Sequence, residues 1–551
     1  MGNSTDIVVK HYRQILIWPL QLMPLPEVSG RSRAMGRHWE VMSALSVAGS
    51  PWQPRPTEFD GDPAEFKERH YREFVTFLPY VQRFLYGEGR SEAGDAANYG
   101  HSPMHVFRRK DIQQVLMVFK DGKTHHFKVI HLDLYFFYDL DVVILALELG
   151  GDNLSLRRVQ DAMFRFGRTF PAQWDENETA TSCLRKVAWL DAAGEVIASS
   201  DYEDRAGYLQ HMGQFCAPKM ASHWEYLLSP LVMHHSNAVG DLRYRQIEYH
   251  RMPMLAYLSF ENPFVLSDED FYRLGTVSRP SDMDALPFSN KVFAAFESNC
   301  CYDRFWIPEN NSPMASTRLM CNGHAFVMVG MAGNPFFVDP YTGSLGQFRH
   351  QYFLLTLIAH FHKASLLMFS DRLAVALAKL NVQDETSIRN FKRETRLLQA
   401  AFLRFTQRYW FREVSNQAIS SQLFLMLKRH LDTETLYSDV RESVQAMSQY
   451  LENEDLRRQA DTVVRLTVVT ILGLVGTTIT GFLGMNLFAL AEETGWNKLW
   501  YFIGVSIPIT ILILYTVAKS KNLSEFLDVL SDDRILWVSK IKQCLHIKSK
   551  L

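Results

Sequence analysis

Between Gln347 and Leu472 there is neither a glycine nor a proline, a stretch of 126 residues in a chain that holds 29 and 21 of them. Removing both helix breakers over such a length argues for long helices. A dominant sign of charge is also missing. The net charge is −2, so no global field recruits nucleic acid. Cysteine is scarce: Cys183, Cys216, Cys300, Cys301, Cys321 and Cys544 include no CxxC pair. A zinc ribbon is therefore not expected, and a reduced compartment is the simpler reading. There is no P-loop, hence no sign of ATP-driven pumping, and no internal repeat. The opening residues, MGNSTDIVVKHYRQILIWPL, lack the long apolar core of a secretory signal, and Asp6 stands where myristoylation wants Ser or Thr.

What is present divides by composition. At 551 residues, 47% hydrophobic and 21% charged, the chain reads as an ordinary folded protein of two to four structural units. Residues 1–345 read as a mixed α/β domain. Its strand candidates are RQILIWPLQL, QQVLMVFKDGKTHHFKVIHLDLYFFYDLDVVILALEL, KVAWLDAAGEVIAS and HAFVMVGMAGNPFFVDP. Its helix candidates include DPAEFKERHYREFVTFLPYVQRFLY and LSLRRVQDAMFRFGRTF, and GEGRSEAGDAANYGHSP reads as a loop. Residues 346–460 read as long cytoplasmic or stalk helices, broken near NVQDETS, where Asp384 or Thr386 would cap the next helix. Val440, Val444, Met447 and Leu451 recur at helical spacing. From Leu436 to Asn486 an unbroken helix would be about 75 Å long, more than a bilayer requires, so its lower part is a stalk in water. An apolar stripe on such a stalk needs cover, and copies of the same chain are the simplest source.

Two segments change the class. Leu466–Ala491 and Leu499–Ala518 carry no charge, and about 20 helical residues suffice to cross a hydrocarbon core. Residues 461–486 are the expected first membrane helix, 487–498 an external loop, and 499–518 the second. Arg457, Arg458 and Arg465 precede the first, Lys519 and Lys521 follow the second, and the loop holds Glu492 and Glu493. Basic flanks stay inside, so both outer flanks are placed in the cytoplasm. The tail, 519–551, is amphipathic with a basic end at Lys540, Lys542, Lys548 and Lys550. It suits either an anionic inner leaflet or the surface of the cytoplasmic body.

The first span is rich in small and hydroxyl residues, which in membranes let helices approach closely. Leu466, Thr470, Leu474, Thr477 and Gly481 fall on one face at steps of three and four, and Asn486 lies at the end of that stripe. One such helix cannot hide an amide from lipid; several around an axis can, as a ring facing water. Mg²⁺ sheds its hydration shell reluctantly, and amide oxygens can bond that shell without stripping it. Glu492 and Glu493 would raise the local cation concentration.

With these residues in hand, TTITGFLGMNLF followed by an acidic loop and a second span resembles the CorA family of magnesium transport proteins. Gly484-Met485-Asn486 corresponds to its signature, and the resemblance covers about Leu436–Lys521. It implies an α+β cytoplasmic domain with long stalk helices and a two-helix C-terminal transmembrane region, assembled as a homopentamer. It implies that Asn486 forms the outer selectivity ring and that Leu466, Leu474, Thr477 and Gly481 line the pore. It also implies channel-like transport of hydrated Mg²⁺ across a bacterial-type inner membrane, with Co²⁺ and Ni²⁺ as secondary ions and both termini cytoplasmic. In the family, cytoplasmic Mg²⁺ held by acidic residues between subunits keeps the pore closed. Asp432, Glu434, Asp439 and Glu442 are the stalk carboxylates available for that role, and a solvated helix face is the competing reading of each. Ala460 stands where other members carry a second asparagine, and Lys519 with Lys521 is a sparse version of the family's lysine run. Expected partners are the chain itself and membrane lipid, with no nucleic acid and no organic cofactor.

Two alternatives remain open: a transporter of Zn²⁺ or another divalent ion, and a membrane-anchored cytoplasmic enzyme or sensor. Cys300 or Cys301, His324 and Asp339 occur in the order of a transglutaminase-like triad, but such loose spacing arises often, and no catalytic residue is expected. The pairs His125–His126, His234–His235 and His360–His362 are poor co-ligands. On a helix, residues two apart do not share a face.

Overall fold

The computed structural model describes residues 7–25, 37–55, 68–87, 103–248, 251–280, 286–310, 312–381, 384–486 and 494–518. The loop read at 87–103 lies almost wholly outside the described residues. The chain divides into two compact units, Met1–Ser443 and Val444–Leu551.

Among the described residues the first unit holds fourteen strands. They are β1 (Val8–Leu22), β2 (Trp52–Pro54), β3 (Met104–Arg109), β4 (Gln114–Val118), β5 (Thr124–Phe137), β6 (Val142–Ser155) and β7 (Lys186–Leu190). There follow β8 (Val196–Ser199), β9 (Val232–Met233), β10 (Arg243–Gln246), β11 (Met254–Phe260), β12 (Cys301–Trp306), β13 (Ser316–Cys321) and β14 (Ala325–Met331). The helices before the last strand are α1 (His38–Val47), α2 (Glu68–Thr76), α3 (Pro79–Tyr86), α4 (Leu156–Arg165), α5 (Arg205–Phe215), α6 (Ser222–Leu228), α7 (Asp268–Thr276) and α8 (Asn290–Cys300). After it come α9 (Pro335–Val338), α10 (Ser344–Gln347), α11 (Phe353–Ala378), α12 (Glu385–Arg408), α13 (Ala418–Leu431), α14 (Thr433–Asn486) and α15 (Gly495–Ala518).

All fourteen strands join one sheet whose main path runs β12-β13-β14-β11-β1-β6-β5-β4-β7-β8. Its spine is the antiparallel pair β1–β6, in register from Val8↔Ser155 to Gln21↔Val142. The far edge of β1 is shared: residues up to Leu16 pair with β11, and Leu20 to Leu22 pair with β10. Pro19 falls in the gap between the two. The Ile17 amide donates toward that edge, to Pro253 O at 2.8 Å, so the next odd position is the one where a missing N–H removes no ladder bond. The β5 edge is shared in the same way, with β4 on its first half and β3 on its second. Gly122 and Gly194 take the positive φ required by the β4–β5 and β7–β8 turns.

Alternation along β1 explains why ILIWPL is apolar throughout. Trp18 points into a cluster with Trp224 of α6, ring centroids 6.0 Å apart, and Trp224 in turn meets Phe166, just past α4, and Trp189 of β7. Ile15 points to the opposite face, toward Phe353 and Leu354 of α11. Both faces are covered, so both sets of side chains are buried. On the α11 side, Phe361 stacks on Phe137 of β5 at 4.1 Å and meets Phe84 of α3 at 5.3 Å.

The breaker-free region is helical, as its composition predicts, but it is not one kind of helix. α11 continues a short π turn, Phe348–Tyr352, into the core. Counted as Ser344–Ala378, it is, among the described residues, the one helix long and apolar enough to cross a membrane by length and composition, yet most of its apolar stretch is buried. α12 is capped by Asp384, whose carboxylate accepts from the amides of Thr386 at 3.0 Å and Ser387 at 3.3 Å. α13 ends without glycine at Asp432, which adopts a left-handed conformation that Asp tolerates better than most residues. Trp410, in the segment between α12 and α13, stacks on Tyr437 at 4.5 Å and ties the start of α14 to this unit.

α14 runs unbroken for 54 residues, about 81 Å, slightly longer than the sequence suggests. Val440, Val444 and Leu451 are buried and Met447 half-buried within the single chain.

The PFFV segment, read as strand, is instead the short helix α9. Asn334 caps it, accepting from the Phe336 amide at 3.0 Å and donating to Pro313 O at 2.8 Å. Asn334 is buried, so Asn334→Ala leaves buried backbone groups unpaired, at about 1–3 kcal/mol. Unfolding entropy of ~2.1 cal/mol/K per residue spreads that cost over the whole unit, so the thermal midpoint of the full chain in detergent is expected to fall by only about 1–3 °C.

Candidate functional site

From Leu466 to Asn486, α14 carries no charge, and the threonine hydroxyls described there are satisfied within the helix. Thr467, Thr470, Thr477 and Thr480 each donate to the carbonyl four residues back, at 2.9, 2.8, 2.7 and 2.9 Å. That back-bonding lets a threonine-rich helix sit in an apolar environment without unmet donors. All five members of the expected stripe are exposed in the single chain, Leu466 at 66% and Leu474 at 69%, with Thr470, Thr477 and Gly481 beside them. No heavy atom lies within 4 Å of where a Gly481 Cβ would stand.

α15 presents the same character. Trp496 is 70% exposed and Trp500 67%, and Ile507, Ile511, Leu512 and Tyr515 are exposed beyond them. It starts at Gly495, four residues before the expected span. Soluble monomers rarely leave so much contiguous apolar surface uncovered. The α14 backbone reaches Gly484, Met485 and Asn486, which close its last turn, but their side chains lie outside the described residues. Glu492, Glu493 and the tail 519–551 lie outside them altogether.

The four stalk carboxylates are exposed. Glu434 pairs with Lys428, and Asp432 accepts from the Thr435 hydroxyl at 2.6 Å. Among the described residues no group of three or more His, Cys, Asp and Glu side chains could hold a metal ion within one chain. His360 and His362 are both buried in α11, and burial pushes each down to about 3, which keeps them neutral. His362 Nε2 donates to Tyr409 O at 2.6 Å, a packing role.

Cys300 ends α8 and Cys301 begins β12. Burial raises both thiols, Cys301 to about 12, and a protonated thiol is a poor nucleophile. Asp339 spends its carboxylate on its own turn, accepting from the Tyr341 amide at 2.9 Å and the Thr342 amide at 3.2 Å. Its partners hold it below the usual carboxylate range, as a local cap and not as an orienter of His324.

Residues 377–519 match the family described as CorA-like Mg2+ transporter protein. This stretch is a CorA-like domain. It takes in α12, α13, α14 and α15, so it begins inside the first compact unit and ends at the close of the second apolar helix. The sheet and nearly all of α11 lie N-terminal to the CorA-like stretch. No curated protein and no solved structure matches the chain. The matched family is one of membrane transporters for divalent cations.

One group of side chains has no counterpart in the sequence reading: Arg108, Asp133, Tyr135, Glu148 and Arg349, which meet around a cavity in the first unit. They come from β3, β5, β6 and the π turn, too far apart in sequence for any spacing rule to gather them.

Proposed function

We propose that this chain conducts hydrated Mg²⁺ across a bacterial-type inner membrane as a homopentamer, with Co²⁺ and Ni²⁺ as secondary ions. The observation that carries this reading is the pair of exposed apolar helices, α14 beyond Val463 and α15, one of which ends on Gly-Met-Asn inside a CorA-like stretch. The two helices cross the bilayer, and Leu466, Thr470, Leu474, Thr477 and Gly481 line the path. Asn486 supplies one amide per subunit to a ring at its outer end, where Glu492 and Glu493 concentrate cations. Transport is passive, driven by about 4.6 kcal/mol per 100 mV for a divalent ion. Cytoplasmic Mg²⁺ bound between subunits, with Asp432, Glu434, Asp439 and Glu442 as candidates, closes the pore.

Flux into liposomes holding the purified protein tests the reading, with Mg²⁺ and Zn²⁺ in separate arms. Potential-driven Mg²⁺ entry is expected; Zn²⁺ entry without Mg²⁺ would replace the ion, and no flux of either would leave only an anchor. Topology has its own check. A cysteine placed at position 493 should react with an impermeant maleimide added from outside intact cells. Labelling only after the cytoplasmic side is opened would reverse the orientation.

A further inference from the structure

The first unit encloses a cavity of about 150 Å³ between the α11 face of the sheet and the π turn Phe348–Tyr352. The surrounding layer is apolar, with Ile15, Phe353 and Leu354 in the wall, yet three arginines and three carboxylates line the same space. Ion pairs set in an apolar layer cost desolvation, and well-packed apolar residues are often as stable or more so. Packing alone does not call for them. The turn that carries Arg349 and His350 is a π turn, an irregularity frequent at functional sites.

The hydrogen bonds show what is left over for an occupant. Arg108 donates through Nε and Nη2 to the two oxygens of Asp133, at 2.6 and 2.7 Å. Arg349 donates through Nε and Nη2 to the two oxygens of Glu148, at 2.6 and 3.1 Å. Glu73 accepts from the Tyr86 hydroxyl at 2.8 Å and faces His350 Nδ1 at 3.1 Å. Every carboxylate oxygen in the wall is therefore engaged by a neighbour. The arginines are not used up: Nη1 of Arg108 and Nη1 of Arg349 make no hydrogen bond among the described residues. Tyr135 is only 5% exposed, lines the cavity, and its hydroxyl has no hydrogen-bond partner among the described residues. The surplus is thus made of donors.

The local field has the same sign. His131, whose Nε2 accepts from Arg349 Nη2 at 3.2 Å, is pushed down to about 3 by burial and then by Arg108, Arg349 and Arg55. The cations dominate at that ring even with the carboxylates nearby.

We propose that this cavity is a binding site for a compact oxyanion, a phosphate or a small carboxylate, held by Arg108, Arg349 and Tyr135. A guanidinium edge matches the oxygens of either group, and the Tyr135 phenol in the cavity wall adds a further donor. The volume is that of a cavity able to hold benzene, about six heavy atoms, which admits inorganic phosphate. The site is independent of the transport reading, since all of its residues lie between Ile15 and Leu354, N-terminal to the CorA-like stretch.

The test is isothermal titration calorimetry of the full chain in detergent, with inorganic phosphate and malonate titrated separately at matched ionic strength, and chloride as control. Saturable binding near one anion per chain is expected for at least one of them, and the one that binds names the source. Tyr135→Phe removes only an unpartnered hydroxyl, so the variant should keep or raise its thermal midpoint. Its affinity should fall about tenfold or more, the size of one hydrogen bond to a charged group. Arg108→Lys, which keeps the charge beside Asp133 but loses Nη1, should weaken binding in the same direction. Absence of saturable binding by both anions, or wild-type affinity in a folded Tyr135→Phe, would overturn the site and leave a hydrated ion-pair network.

Discussion

Asn486→Leu should abolish Mg²⁺ flux while leaving the assembly intact. A lipid-facing amide would behave in the opposite way, because replacing an unsatisfied polar group with an apolar one is tolerated or stabilising. At a pore mouth the same change deletes one amide from every subunit at once. The hydration shell of a passing ion then meets an apolar ring and loses several hydrogen bonds together. Each is modest, about 0.5–1.5 kcal/mol net, but two or three lost at once slow permeation by roughly one to three orders of magnitude, at about 1.4 kcal/mol per tenfold. Asn486→Asp should bind divalent ions more tightly and discriminate among them less, since a full charge replaces a dipole. The measurement is Mg²⁺ flux into liposomes carrying each variant, with oligomer mass determined in mild detergent. Near-normal flux through the Leu variant would remove Asn486 from the permeation path. A monomer in the wild type would remove the ring.

Phe361→Ala carries the second large effect, in the other unit. Its ring is fully buried and joins α11 to β5 through Phe137, to α3 through Phe84, and to α12 through Phe405 at 6.2 Å. Truncating such a phenylalanine costs about 3–5 kcal/mol from lost transfer energy and the cavity left behind, a large share of a typical 5–15 kcal/mol. The size of the thermal shift reads the size of the cooperative block. Unfolding entropy of about 2.1 cal/mol/K per residue makes each kcal/mol worth only about 1 °C if Met1–Ser443 melts as one unit. A drop of about 3–5 °C, followed by tryptophan fluorescence, is therefore expected. A drop of 10 °C or more would mean that α11 and its neighbours unfold as a smaller block, separate from the Trp18–Trp189–Trp224 side of the sheet.

Much of the fold is legible in the chain because its signals are local. Runs rich in β-branched and aromatic residues predict β1, β4, β5, β6, β7 and β8, and Gly122 and Gly194 in the turns between them fall where positive φ is needed. The loss of Gly and Pro after residue 346 predicts the long helices, and Asp384 predicts where one begins. The misreadings are local ties broken by distant partners. PFFV has strand composition, but Asn334 bonded to Pro313 turns it into a helix. α13 ends at Asp432 in a left-handed conformation, inside a stretch without Gly or Pro where the sequence marks no break.

The candidate transport site divides in the same way. A charge-free run, a stripe at helical spacing and a Gly-Met-Asn triplet are all properties of consecutive residues, so the sequence by itself determined where the two apolar helices lie and that about Leu436–Lys521 resembles the CorA family, most of it within the matched stretch 377–519. The sequence sets α11 apart from the two charge-free runs by its Lys363, Asp371 and Arg372, but does not tell a core helix from a stalk helix. Only the packing of α11 on β1 and β6 makes it a core helix while Leu466, Leu474, Trp496 and Trp500 stay uncovered. Nor could it tell that Val440, Val444 and Leu451 are already buried within one chain. The cavity belongs wholly to the tertiary structure. Arg349 and Glu148 are 201 positions apart, and Arg108 reaches Asp133 only because β3 and β5 pair in the register that sets those two residues opposite each other. Strand register and layer contact are decided by which distant surfaces bury each other, and that choice leaves no periodic trace in the chain.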